Sequence, residues 1–265
     1  MWLRGIAIHE RSQCLHYNAF RRYIFDRVID KPRGIMFLKP FFLDFENNKA
    51  GEFYLAGFES DGVFEQRVLN ANLEGLAQFK NLKNEEPNVF LNKVLRRMTD
   101  EQFVLVAYST AELSVINSML AAKAERRQFT HLRYLNLLSA AKRWIRKHKK
   151  NDFEALAPFR IGADDYTQKR QRYSLASVMR LTSFQAEKDY APGKTTSRFN
   201  AVISSLKLKE QNFDALTAVQ KAKATKALKH NEFDVKAMRV LFNLIKEQDA
   251  SCFQKSIVKL FGESE

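Results

Sequence analysis

Between Ile35 and Leu69 the chain lays down three apolar runs, Ile35–Glu46, Phe53–Glu59 and Val63–Leu69. They are separated by Asn47-Asn48-Lys49-Ala50-Gly51 and by the tight link Ser60-Asp61-Gly62. Runs rich in Phe, Leu and Val, broken by Asn, Asp and Gly, read as successive strands joined by turns. An antiparallel three-stranded start is thereby imposed on whatever follows. The first run also carries two acids, Asp44 and Glu46, with Phe41-Phe42-Leu43 before them and Phe45 between. Strand side chains alternate faces, so both carboxylates emerge on one side while Phe45 packs on the other. Two carboxylates in apolar surroundings repel and lose hydration unless a cation lies between them.

Helical periodicity follows in Leu73–Phe79 and Val89–Met98, then a buried strand over Phe103–Tyr108, then a helix from about Ala111 to Arg126. Phe129–Leu135 reads as a fifth strand, and a basic helix continues to about Lys149. Residues 151–172 read as irregular, Ser174–Thr182 as a short helix and Asp189–Ser197 as a loop. Helices take most of 198–261, with Val235, Met238, Leu241, Phe242 and Ile245 as an apolar stripe. Residues 1–34 form an N-terminal extension with a short helix around Tyr17–Ile29, ended by Lys31-Pro32-Arg33-Gly34. The expectation is an α/β domain over 35–265: a mixed five-stranded sheet flanked by helices, with a helical C-terminal end.

Composition narrows the partners. The 22 phenylalanines among 265 residues exclude general disorder. No apolar run approaches the roughly 18 residues of a membrane span, and the N-terminus does not read as a secretory signal. Cys14 and Cys252 lack disulfide or metal spacing, which points to a reducing cytoplasm. A net charge of +14 favours a polyanion such as nucleic acid. The basic residues cluster from Lys123 to Lys150, where Glu125 is the single acid, and again at Lys221, Lys223, Lys226 and Lys229. Arg143, Arg146, Lys147 and Lys226 are therefore the candidates for tracking phosphates, with Lys194 on its loop as a further contact. Lys194-Thr195-Thr196 after Gly193 is not a phosphate-binding loop, because Lys188 stands where that motif needs Gly.

The second basic run leads into His230-Asn231-Glu232-Phe233-Asp234. His230 and Asp234, four apart in a helical stretch, share one face. Two acids on a strand with a His and an Asp on a late helix suit a two-metal phosphodiesterase. Carboxylates hold divalent ions against the attacking and leaving oxygens, and an imidazole of ordinary pKa near 6.5 takes a proton from water.

The order of these motifs resembles the DEDD exonuclease superfamily, whose fold is ribonuclease H-like. Asp44-Phe45-Glu46 is similar to its first motif, Tyr108-Ser109-Thr110-Ala111-Glu112 to its second, and His230 to Val235 to its third, with His four residues before the last Asp. Tyr134-Leu135-Asn136-Leu137-Leu138 and Tyr173-Ser174-Leu175 resemble connecting segments of a branch of bacterial and archaeal nucleases. Glu112 and Ser109 stand where the second motif usually has Asp and Asn. The resemblance implies a 3′–5′ exonuclease in which Asp44, Glu46, Glu112 and Asp234 hold two Mg²⁺ or Mn²⁺ ions and His230 is the general base. Its substrate would be a single-stranded 3′ end of DNA or RNA, with Phe45 or a neighbouring aromatic stacked on the terminal base. Glu112 in place of Asp keeps open a nucleic-acid-binding protein on the same fold with weak or no catalysis. A structural or recruiting subunit that contacts a protein partner through its N-terminal 34 residues and its C-terminal helices is the third reading.

Overall fold

A computed structural model describes residues 39–48, 50–120, 126, 128–157, 172–184 and 194–261. They belong to a compact unit that runs from Lys39 to Glu265. The extension expected over 1–34, and the helix expected around Tyr17–Ile29, lie outside the described residues, as do 158–171 and 185–193.

The three apolar runs form the expected meander: β1 (Lys39–Asn47), β2 (Phe53–Ser60) and β3 (Val63–Val68). Asp61 and Gly62 both take positive φ, +52° and +79°, between the paired residues Ser60 and Val63. That two-residue geometry matches the twist of the flanking strands and favours Asp-Gly. After a 3₁₀ turn at Ala71–Leu73 come α1 (Glu74–Phe79), β4 (Lys83–Asn84) and α2 (Pro87–Asp100). Next are β5 (Phe103–Ala107), α3 (Ala111–Met119) and β6 (Arg133–Asn136). The helix α4 (Leu137–Trp144) passes through a π-helical segment, Ile145–Lys149, into α5 (Lys150–Ala155). Then follow α6 (Leu175–Met179), α7 (Thr195–Leu208), α8 (Ala218–Asp249) and β7 (Ile257–Lys259).

The sheet is mixed and seven-stranded, in the order β4-β3-β2-β1-β5-β6-β7. β1, β2 and β3 pair antiparallel, while β5 and β6 run parallel to β1. All five expected strands are present, and β4 and β7 add an edge at either side. β7 pairs antiparallel with β6 where helix was expected up to residue 261. It covers the open edge of β6, whose unpaired backbone would otherwise face water. The fifth strand starts later than expected, because Phe129 and Leu132 give their N–H groups to a local turn, at Arg126 O and Phe129 O. Residues 151–155 are helical rather than irregular.

Strand alternation sorts β1 onto two layers. Phe41, Leu43 and Phe45 join the core under α2 and α3, with Phe90, Leu95, Met98 and Ile116. The opposite face meets α8, where the Phe42 ring lies 5.6 Å from that of Phe242. The stripe Val235, Met238, Leu241, Phe242 and Ile245 is buried along α8, as its spacing requires. A capping box between Thr217 and Gln220 fixes where this long helix begins.

Candidate functional site

Asp44 and Glu46 lie on the α8 face of β1, and α8 lays His230 and Asp234 over them. Ligand atoms of Glu46, His230 and Asp234 fall within 4.8 Å of one another. The His230 Nε2 is 3.3 Å from Asp234 Oδ2, and their side chains are 8% and 15% exposed. Asp44 approaches from the neighbouring strand position and feels the charges of Glu46, Asp234 and Glu112.

Glu112 arrives by a separate route. The turn that leaves β5 is pinned by Leu138 N–H to Tyr108 O at 2.7 Å and by the Tyr134 hydroxyl to Ser109 O. The Ser109 Oγ accepts from Ala111 N–H at 3.1 Å and starts α3, which places Glu112 in the first helical turn. The Ser109 hydroxyl lies 3.4 Å from Glu112 Oε2. The acid is thus partly engaged by its own helix terminus, where a carboxylate is stabilised in any case.

Burial sets the protonation of the cluster. Desolvation, then the Glu46, Asp234 and Glu112 carboxylates, raises Asp44 well above the usual range, against an opposing hydrogen bond from Asn231. Glu46 is raised by burial, then by Asp234 and Glu112. Burial pushes Glu112 up to about 7, against its backbone and Ser109 hydrogen bonds. The Tyr108 and Tyr134 phenols are raised by burial and by the acids beside them, so both remain protonated. His230 moves the other way. Desolvation, reinforced by the Arg198 charge, lowers it to about 4. The expected imidazole of ordinary pKa is therefore replaced by one that is neutral through the physiological range.

These observations give the test of whether the residues suit a divalent ion. Carboxylate donors from two elements crowd one point beside a neutral imidazole, and as anions the carboxylates repel one another. Carboxylate oxygens are hard donors that suit a divalent cation, and a neutral imidazole beside them is free of the charge that would oppose one.

The other expected contacts scatter. Phe45 is 7% exposed, its ring 6.1 Å from Phe53 and 6.2 Å from Phe90. It packs edge-on in the core and is not placed to stack on a base, because it occupies the strand face opposite the acids. Arg143 donates to Cys252 O at 2.9 Å and to the hydroxyls of Ser256 and Ser139, fastening the C-terminal segment. Lys147 pairs with Asp249 at 2.9 Å, and Arg146 is exposed on the same π-helical segment. Asp249 ends α8, about 28 Å along the helix from His230 at 1.5 Å per residue. This basic segment therefore does not adjoin the acids. Lys194 is exposed where α7 begins, and Lys226 sits one turn before His230, its carbonyl 3.5 Å from Arg198 Nη1.

Sequence reasoning passed over Arg198 and the residues that hold Asp44. Arg198 gave no signal, since its proximity to His230 arises only when α7 packs on α8. Gly57, in the middle of a strand, was a usable sign of close backbone approach. No helix among the described residues is long and apolar enough to cross a membrane. No protein-family model matches the chain, and no curated protein matches it.

Proposed function

We propose that the protein is a metal-dependent nuclease that hydrolyses phosphodiester bonds of DNA or RNA, as a 3′–5′ exonuclease of ribonuclease H-like fold. The observation that carries the reading is the convergence of Glu46, His230 and Asp234 within 4.8 Å, with Asp44 and Glu112 within electrostatic reach. An antiparallel meander continued by parallel strands supports the fold, and the net charge of +14 supports a polyanionic substrate.

Asp44, Glu46 and Asp234, joined by Glu112, would hold Mg²⁺ or Mn²⁺. When bound, the ions supply Lewis acidity and an activated water for in-line attack at phosphorus. Asp44 and Glu46 contribute as anions, so they must lose the protons that burial favours. His230, neutral at pH 7, can accept a proton at a ring nitrogen beside Asp234, which would stabilise the imidazolium. The buried Tyr108 and Tyr134 keep their protons and leave the local charge to the acids. Arg198, near His230, adds positive charge where the substrate phosphate would enter.

Single-stranded and duplex DNA and RNA, labelled at either end, test the reading with Mn²⁺ and with EDTA. Stepwise shortening from the 3′ end with Mn²⁺ alone is expected. No shortening of any substrate would refute it. One observation favours the non-catalytic alternative: Glu112 leans on Ser109 of its own helix terminus. Substrate retention without Mn²⁺-dependent loss would select that alternative.

A further inference from the structure

The Asn231 side chain crosses the α8–sheet interface at full burial, 0% exposed. Its Nδ2 donates to Asp44 Oδ2 at 2.7 Å and to Asp44 O at 3.2 Å. Its Oδ1 accepts from Gln66 Nε2 at 2.9 Å, and the same amide of Gln66 donates to Leu228 O at 2.9 Å. The three sheet residues beneath form one row, Asp44 opposite Gly57 on β2 and Gly57 opposite Gln66 on β3. Gly57 is the floor of this bridge. A Cβ there would meet Asn231 Oδ1 at 2.0 Å, a distance that no side chain tolerates.

We propose that Asn231, clamped by Gln66 above the bare backbone of Gly57, is a positioning residue that fixes the Asp44 carboxylate for the divalent ion. The inference rests on the proposed metal site. The chemistry suits the task. An amide donor orients one carboxylate oxygen without neutralising the charge, whereas Lys or Arg in its place would compete with the cation. Partners of this kind fix the geometry of ligating groups, and their loss typically weakens metal binding about 10–100-fold. A merely structural amide would be an odd choice here. Asn231 sits between the apolar positions Leu228 and Val235, where a leucine of similar size would satisfy packing with no polar group to bury.

The test is calorimetric titration of the full chain with Mn²⁺ alone, beside the melting temperature in EDTA. Wild type should bind, and Asn231→Ala should bind about 10–100-fold more weakly while remaining folded. Gly57→Ala, which pushes the amide off the strand, should weaken binding in the same direction. Should Asn231→Ala fail to fold, Gln66→Leu carries the test, because it releases the amide from the half-buried side of β3. A role confined to packing would lower the melting temperature in EDTA and leave Mn²⁺ affinity unchanged. A folded variant that holds Mn²⁺ as tightly as wild type overturns the positioning role and leaves the metal site standing. A wild-type chain that takes up no Mn²⁺ overturns the site and this role together.

Discussion

Burial and the carboxylates of Glu46, Asp234 and Glu112 all push Asp44 toward its protonated form, while the Asn231 amide pulls the other way. Asp44→Asn removes the charge and keeps the shape, so the ion-free protein should melt at the same temperature or higher at pH 7.5. Mn²⁺-dependent activity should be nearly abolished. A large fall in the EDTA melting temperature would mean that the charge serves the fold instead. His230 behaves differently from a histidine of ordinary pKa. Held down to about 4, it stays in its base form well into the acid range. If it is the base, His230→Ala should cut the rate by up to about 10²–10⁴-fold, the usual worth of a general base. The acid limb of the pH–rate profile at limiting Mn²⁺ should persist in the variant, because it reports protonation of the buried acids that must ionise to take up the ion. A limb near pH 6.5 that vanishes with His230 would contradict the burial argument.

At the level of elements, the meander was legible because Phe-rich runs and an Asp-Gly turn state strand and hairpin locally. Residue spacing, two for the strand and four for the helix, put each pair on one face of its element; that the two faces meet was expected from the chemistry they would share and from the family resemblance. The course of the basic helix was not legible. Nothing in Lys142 to Lys150 tells that this stretch ends beside Asp249, because the pairing joins residues about a hundred positions apart. β7 was hidden for the same reason, its pairing with β6 being entirely non-local. Arg143 therefore becomes a structural residue. Arg143→Ala should lower stability by about 1–3 kcal/mol through the acceptors it leaves behind, with the salt dependence of oligonucleotide binding unchanged. Lys223 and Lys226 lie on the face of α8 that carries His230. Neutralising Lys226 should reduce the log–log salt slope by roughly 0.7 if it meets one phosphate of a single strand. A reduced slope in Arg143→Ala, with none in Lys226→Ala, would restore the basic helix as the path.

For the whole molecule, the buried acids couple protonation, metal and stability. Asp44, Glu46 and Glu112 have raised pKa values when folded, so near neutrality the folded chain holds more protons than the unfolded one. Stability from these groups is fully present below the ordinary carboxylate range and is lost as pH rises through their folded values, about 7 for Glu112. His230 acts in the opposite sense, but only below its ordinary pKa of about 6.5. In EDTA, stability should thus decline as pH rises from about 4.5 through about 7, partly offset by His230 below 6.5, by at most about 1.4 kcal/mol per pH unit for each extra proton held. Saturating Mn²⁺ should abolish the decline, because it binds the ionised acids. An EDTA melting temperature that rises across that range would show that the acids are not raised. The central claim is tested most directly by one side-by-side measurement, the Mn²⁺-dependent release of nucleotides from a 5′-labelled single strand by wild type and by Asp44→Asn. The account predicts a ladder shortening from the 3′ end with wild type, halted by EDTA and absent with Asp44→Asn. Equal release by both proteins, or none by wild type with Mn²⁺, would contradict it.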